Sequence, residues 1–98
     1  MIQLNDKLTG YVNNQLDTTP KTGGLQMSFS NGNTISIQFG FGNYCDNKNL
    51  TKDFSKDAEI AIWNDSGEWY NFGNDTVKGY CNTDEIAKWI HFAANNNI

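Results

Sequence analysis

Two stretches of alternating apolar and polar residues constrain the fold of this chain more than any other feature of its sequence. In residues 25–41 the alternation runs on both sides of Asn31-Gly32, and in residues 58–72 it flanks the run Asn64-Asp65-Ser66-Gly67. A period of two is typical of a strand with one buried face, and Asn, Asp and Gly favour tight turns. The sequence therefore predicts two β-hairpins.

The turns also determine the expected pairing of the strands. A two-residue turn at Asn31-Gly32 would mix apolar and polar side chains on each face, because a slip of one residue reverses every side chain of a strand. A type I turn over Phe29–Gly32 with a bulge at Gly32 keeps the faces uniform. With Gly67 as the bulge residue of the second turn, the expected pairs are Met27–Ile35, Leu25–Ile37, Trp63–Trp69, Ile62–Tyr70 and Ile60–Phe72.

The last part of the chain predicts an amphipathic helix from Thr83 to Ala94. Asn82 and Glu85 have the spacing of a capping box. The apolar residues that follow recur at helical intervals and form a stripe of Ile86, Trp89, Ile90 and Ala93. The expected fold class is α+β, a four-stranded, mostly antiparallel sheet of two hairpins in the order ββββα. The helix is expected to pack on one face of this sheet, the face with Ile35, Ile37, Ile60 and Ile62.

The length of 98 residues predicts a single core, since two cores would each be too small to bury enough surface. Residues 25–98 are expected to form the ββββα domain. Residues 1–24 are interpreted as a short helix or a loosely attached arm that ends in a linker. Apolar residues lie there at helical spacing, but weak helix formers interrupt them and a Thr/Pro/Gly-rich run follows.

Charge and hydropathy argue against several classes of protein. Seven lysines and no arginine face eleven acidic residues, which gives a net charge of −4. Arginine is the residue best suited to bidentate contacts with phosphate and guanine, so binding of duplex nucleic acid through a basic patch is not expected. No apolar run approaches the roughly 20 residues that cross a bilayer. The expectation is a soluble, cytoplasmic protein without a membrane partner.

The sequence predicts no catalytic, cofactor or metal site. The loop Gly40-Phe41-Gly42 lacks the third glycine of a dinucleotide loop and the Gly-Lys-Ser/Thr ending of a P-loop. The polar loop 46–53 lacks the glycine and the final glutamate of a calcium loop. His91 is the only histidine, and no local motif pairs it with a thiol. Cys45 and Cys81 are expected to be free thiols, and the sequence leaves open a contact or a labile disulfide between them.

Trp63 and Trp69 form the most informative predicted surface, because the expected register makes them neighbours on the face away from the helix. In one interpretation the N-terminal arm covers this face, and the two indoles belong to a second small core. In another they are a docking site, since exposed Trp and Tyr often dominate binding energy. A third is stacking of single-stranded bases. The residues predicted to bind a partner are Trp63, Trp69, Tyr44, Phe41 and Asn71.

Several short runs give the chain a resemblance to a known group of proteins. They are Ser28-Phe29-Ser30-Asn31-Gly32, Gly40-Phe41-Gly42-Asn43-Tyr44-Cys45, Ala58-Glu59-Ile60-Ala61-Ile62-Trp63, and Val77-Lys78-Gly79-Tyr80 leading into Thr83-Asp84-Glu85-Ile86-Ala87. Over about Leu25 to Ala94 the chain resembles small uncharacterised proteins of tailed bacteriophages. The resemblance carries no catalytic residues. It implies a phage accessory protein, similar as a class to inhibitors of host defence such as anti-CRISPR proteins.

The expected function is that of a non-enzymatic phage accessory protein in the cytoplasm of an infected bacterium. It would bind a host or phage protein and inhibit a host defence system. Two alternatives stay open from the sequence: a protein that sequesters a small molecule or nucleotide in the Gly40–Cys45 loop, and a binder of single-stranded nucleic acid. The sequence also leaves a homodimer open.

Overall fold

The computed structural model describes residues 1–4, 11–12, 15–16, 22–40, 44–45 and 55–98. The elements are β1 (Ile2–Leu4), β2 (Tyr11–Val12), β3 (Gln15–Leu16), β4 (Thr22–Ser28), β5 (Thr34–Gly40), β6 (Asp57–Trp63), β7 (Lys78–Asn82) and α1 (Thr83–Asn95). One antiparallel sheet has the strand order β1-β4-β5-β6-β7, and β2 pairs with β3 apart from it.

The longer strands β4 to β7, followed by α1, confirm the predicted α+β class and the ββββα order. The strand β1 adds a short edge, in which Ile2 pairs with Met27 and Leu4 with Leu25. A helix was one expectation for residues 1–24, but the described residues of that stretch after Met1 lie in strands. An isolated helix of weak formers is marginal in water, whereas the edge of β4 offers backbone hydrogen-bond partners.

The first hairpin has the predicted bulged turn. Met27 pairs with Ile35 and Leu25 with Ile37, as expected. The Gly32 amide donates a hydrogen bond to the Phe29 carbonyl oxygen at 3.0 Å, and Gly32 has a φ of 92°. The apolar side chains of both strands therefore lie on one face, and the polar ones lie on the other.

The prediction for the second hairpin is correct at the turn and wrong beyond it. Trp63 pairs with Trp69, and the Tyr70 amide donates to the Ile62 carbonyl oxygen at 2.7 Å. The predicted pair of Ile60 with Phe72 is wrong, because Ile60 pairs with Lys78 of β7. The fourth strand of the sheet is thus 78–82, and residues 70–72 leave the sheet.

Aromatic packing accounts for the path of this segment. The rings of Tyr70 and Phe72 contact Trp89 of α1 with centroid distances of 5.8 and 4.9 Å, and Tyr70 lies 5.0 Å from Phe92. Phe72 meets Trp89 edge to face, and the two Tyr70 pairs are tilted. Edge-to-face pairs add about 0.5–1.5 kcal/mol each beyond the area that they bury. The segment therefore packs against the helix instead of continuing the sheet.

The core lies between the sheet and α1, on the predicted face. Ile35 and Ile62 are fully buried against Ala93 of the helix. From α1, Trp89, Ile90 and Phe92 also pack on this core. Phe92 is an addition to the predicted stripe. It is placed there by the aromatic contacts with the segment that leaves the sheet.

Asparagine side chains satisfy the backbone at both ends of α1. At the start, the predicted capping box is present: the Asn82 side chain accepts from the Glu85 amide at 2.9 Å, and the Glu85 carboxylate accepts from the Asn82 amide at 3.2 Å. At the end, Asn31 and Asn33 of the hairpin turn each donate to the Ala93 carbonyl oxygen at 2.9 Å. The last carbonyls of a helix lack intrahelical donors, so the turn ties the helix end to the sheet.

Asn33→Asp is expected to lower the free energy of unfolding at neutral pH by about 1–3 kcal/mol. The Asn33 side chain is buried, and the substitution replaces its donor amide with a carboxylate that faces carbonyl oxygens. Protonation would restore a donor, so the loss should shrink as the pH is lowered. Urea unfolding between pH 7 and pH 3.5 measures this loss of stability. Asn74→Asp, at an exposed position, is the control. A loss independent of pH would contradict this account.

Candidate binding surface

The indoles of Trp63 and Trp69 form a stacked pair on the sheet face opposite the helix. Along β6, Ile60 and Ile62 face α1, so Trp63 and its alternate neighbours face the other way. The two ring centroids are 5.0 Å apart and the planes are inclined by 27°. Trp63 is half-buried, whereas 50% of Trp69 is exposed. The predicted neighbours are therefore together, with Trp69 as the outer ring.

The middle of the same face is closed to solvent. Thr34 and Ser36 of β5 and Ala61 of β6 all lie on it, and all three are buried. The part accessible to a partner is therefore the end of the face, at Trp69 and the turn beside it.

Tyr44, the third predicted contact residue, lies at the other end of β6. Its amide donates to the Glu59 carboxylate at 2.8 Å, and its carbonyl oxygen accepts from the Tyr80 amide at 2.8 Å. Glu59 and Trp63 are four residues apart, which is about 13 Å along a strand. Tyr44 is 52% exposed, but it belongs to a patch separate from the tryptophan pair.

Tyr80 is an exposed aromatic residue that the sequence analysis missed. Gly79 and Tyr80 together oppose Glu59, because the pairing of β6 with β7 shifts by one residue there. Tyr80 has a φ of 55° and is 54% exposed. A left-handed backbone at a residue other than glycine costs about 1–3 kcal/mol and often marks a functional position. Nothing in the local sequence indicates this conformation.

The two remaining predicted contact residues do not join the tryptophan pair within the described structure. Asn71 is exposed, but its side-chain oxygen accepts from the Gly73 amide at 2.8 Å and closes a local turn. Phe41 lies outside the described residues, as does the whole polar loop 46–53. Of the five predicted contact residues, the structure brings together Trp63 and Trp69.

His91 lies in α1, whereas Cys81 lies in β7 and Cys45 follows β5. Cys45 and Cys81 are both buried thiols, and no disulfide joins them. The Cys45 sulfur accepts from the Gly40 amide at 3.3 Å, so this amide of the glycine loop already has a partner. Burial raises the pKa of the Cys81 thiol, and the charge of Glu85 raises it further. That thiol is therefore protonated at neutral pH, whereas His91 is exposed on α1 beside Asn95.

A cavity of about 660 Å³ opens beside α1, with described lining residues Ala87, Lys88, Trp89, His91 and Phe92. The parts of the chain that the structure describes contain no group of three or more potential metal ligands and no helix long and apolar enough to cross a membrane.

Comparison of the chain with protein-family models, curated proteins and solved structures gave no match.

Proposed function

We propose that this chain is a non-enzymatic accessory protein of a bacteriophage, which binds a host or phage protein through the surface around Trp69 and thereby inhibits a host defence system. The phage origin and the defence target rest on the resemblance of the sequence runs. The binding role rests on one structural observation, the half-exposed indole of Trp69 stacked on Trp63.

The stack suits Trp69 to binding for two reasons. A tryptophan offers a large apolar area with a polar N–H at its edge, and such residues dominate the energy of many interfaces. In addition, the contact with Trp63 and the turn between them hold the ring before a partner arrives. Less side-chain entropy is then lost when the complex forms.

Trp69→Ala is expected to weaken binding of the partner by about tenfold or more, the loss typical of a dominant interface residue. The test expresses the tagged chain in a bacterium that carries a defence system active against a phage. The efficiency of plaque formation is measured, and captured proteins are compared between wild type and variant. The wild type should raise plaque formation and capture a component of that system. Trp69→Ala should do neither.

Two further variants make the result decisive. Trp69→Phe keeps an aromatic ring on Trp63 and should retain most of the binding, which separates loss of the contact from loss of folding. His91→Ala removes an exposed side chain from the helix layer and should change nothing. If His91→Ala abolishes capture and Trp69→Ala does not, the binding site is the cavity beside α1 and the proposal is wrong.

A further inference from the structure

The turn of the first hairpin contains the only Asn-Gly pair of the sequence, Asn31-Gly32. In such a pair the backbone amide nitrogen of the glycine can attack the side-chain carbonyl carbon of the asparagine, because glycine has no Cβ to obstruct the approach. Asn31 is exposed, so water and hydroxide reach this turn. The pair is therefore a candidate site of covalent change that needs no enzyme.

The fold requires glycine at the second position of this pair. Gly32 has a φ of 92°, a backbone conformation that residues with a side chain rarely adopt. A Cβ atom there would also lie 3.0 Å from the carboxylate of Asp65, which belongs to the turn of the second hairpin. The bulged turn and the close approach of the two turns thus make the Asn-Gly sequence a consequence of the fold.

Hydrogen bonds hold each atom that the reaction would use. The Gly32 amide, the nucleophile, donates to a carbonyl oxygen of the same turn at 3.0 Å. The side-chain nitrogen of Asn31, the leaving group, donates to the carbonyl oxygens of Ala93 and Asn96 at 2.9 and 3.4 Å. The Asn31 side-chain oxygen accepts from the Asn33 amide at 3.0 Å. The end of α1 therefore holds the group that has to leave.

We propose that Asn31 is a site of spontaneous deamidation, and that its contact with the end of α1 suppresses the reaction until this contact opens. The Gly32 amide nitrogen gives its proton to hydroxide and bonds to the side-chain carbonyl carbon of Asn31. The bond from that carbon to the side-chain nitrogen breaks, and the nitrogen takes a proton from water and leaves as ammonia. Water then opens the succinimide ring to aspartate or isoaspartate, without any oxidant or reductant. The proposal does not rest on the proposed function.

The reaction loosens the helix end in one direction only. The amide of Asn31 donates to the last carbonyl groups of α1, whereas a carboxylate at neutral pH only accepts. The new carboxylate would face the carbonyl oxygens of Ala93 and Asn96, in a turn against which the Asp65 carboxylate already lies. Isoaspartate also lengthens the backbone by one carbon atom between β4 and β5. The contact that position 31 supplies therefore does not form again.

The site is tested with the full chain at mildly alkaline pH, folded in buffer and unfolded in urea. Peptide mapping by mass spectrometry measures the conversion of the Asn31 amide to an acid. The folded chain should react about tenfold or more slowly, because several hydrogen bonds must open first. Equal rates in buffer and urea would contradict the protection. A rate in urea no greater at Asn31 than at the other asparagines would show that the site is wrongly assigned.

Gly32→Ala, measured in urea, tests the identity of the nucleophile, and the unfolded state makes the result independent of folding. The added methyl group hinders the approach of the amide nitrogen, so deamidation of Asn31 should slow severalfold. An unchanged rate would mean that water attacks the side chain directly, and the proposed step would be wrong.

Asn33→Asp tests the protection by the helix end. Asn33 also donates to the carbonyl oxygens of Ala93 and Asn96, so this variant weakens the same contact and leaves the reacting pair intact. In the folded variant Asn31 should deamidate about fivefold or more faster than in wild type, with similar rates in urea. Asn74→Asp makes the same change at an exposed position and should leave the rate within about twofold. Equal rates in the two variants would show that the helix end does not protect Asn31.

Hydrogen exchange measures whether the reaction loosens α1. The deamidated chain carries one more negative charge, so anion exchange separates it from the unmodified chain. Amides of the last turn of α1 should exchange about fivefold or more faster in the deamidated chain. The Glu85 amide, which the capping box holds at the other end of the helix, should stay within about twofold. Unchanged exchange in the last turn would overturn the inference that deamidation releases the helix end.

Discussion

Gly24→Ala is expected to lower the free energy of unfolding by about 2–6 kcal/mol, the sum of backbone strain and a steric overlap. Gly24 on β4 has a φ of 153°, which residues with a side chain rarely adopt. A methyl group there would overlap the carbonyl oxygen of Ile37 on β5 and lie 2.9 Å from the carbonyl carbon. Because these are backbone atoms, no side-chain rotation relieves the overlap. The two strands would have to separate, and urea unfolding followed by circular dichroism measures the cost.

Gly73→Ala is the matched control for this prediction. Gly73 also has a positive φ, 135°, but a methyl group there meets no atom within 4 Å. The loss of unfolding free energy in Gly73→Ala should therefore come from backbone strain alone, about 1–3 kcal/mol. Equal losses for the two variants would show that β4 and β5 do not approach as closely at Gly24 as the structure describes.

Ile62→Ala is expected to lower the free energy of unfolding by about 2–5 kcal/mol, the range for truncating a fully buried aliphatic side chain. Ile62 on β6 is 0% exposed and contacts the core formed with Ile35 and Ala93. The substitution removes apolar burial and leaves a cavity between sheet and helix, where rigid neighbours cannot close it. Small domains have only about 5–15 kcal/mol of stability in total, so the midpoint of urea unfolding should fall sharply.

The same truncation at Ile2 tests whether burial causes the effect. Ile2 on the edge strand β1 is 67% exposed, and Ile2→Ala should change the stability by no more than about 0.5 kcal/mol. Similar midpoints for the two variants would mean that the sheet and α1 do not share the core described for them.

The elements that the sequence predicted well are those that short-range chemistry determines. The alternation in residues 25–41 identified the first hairpin, and the demand for uniform faces selected the bulged turn at Gly32. The spacing of Asn82 and Glu85 located the start of α1. In each case a local pattern allowed one arrangement with good burial, so the structure agrees with it.

The candidate site was predictable only in part. The pair of Trp63 and Trp69 follows from the turn at Gly67, which the sequence indicates. The separation of Tyr44 from that pair does not follow, because its position depends on contacts with Glu59 and Tyr80 that are distant in sequence. The positive φ of Tyr80 arises from the shifted pairing of β6 with β7, and no local pattern encodes it.

The sequence by itself determined the α+β class, the first hairpin, the capped helix and the tryptophan pair, because turn residues and hydrophobic periodicity act over a few positions. Only the tertiary structure decided which segment lies beside β6. Residues 70–72 and residues 78–82 could each pair there. The rings of Tyr70 and Phe72 pack against Trp89 and Phe92 on α1, and Lys78–Asn82 takes the place beside β6. The segment that pairs with β6 is thus decided by competing long-range contacts, which no local sequence pattern indicates.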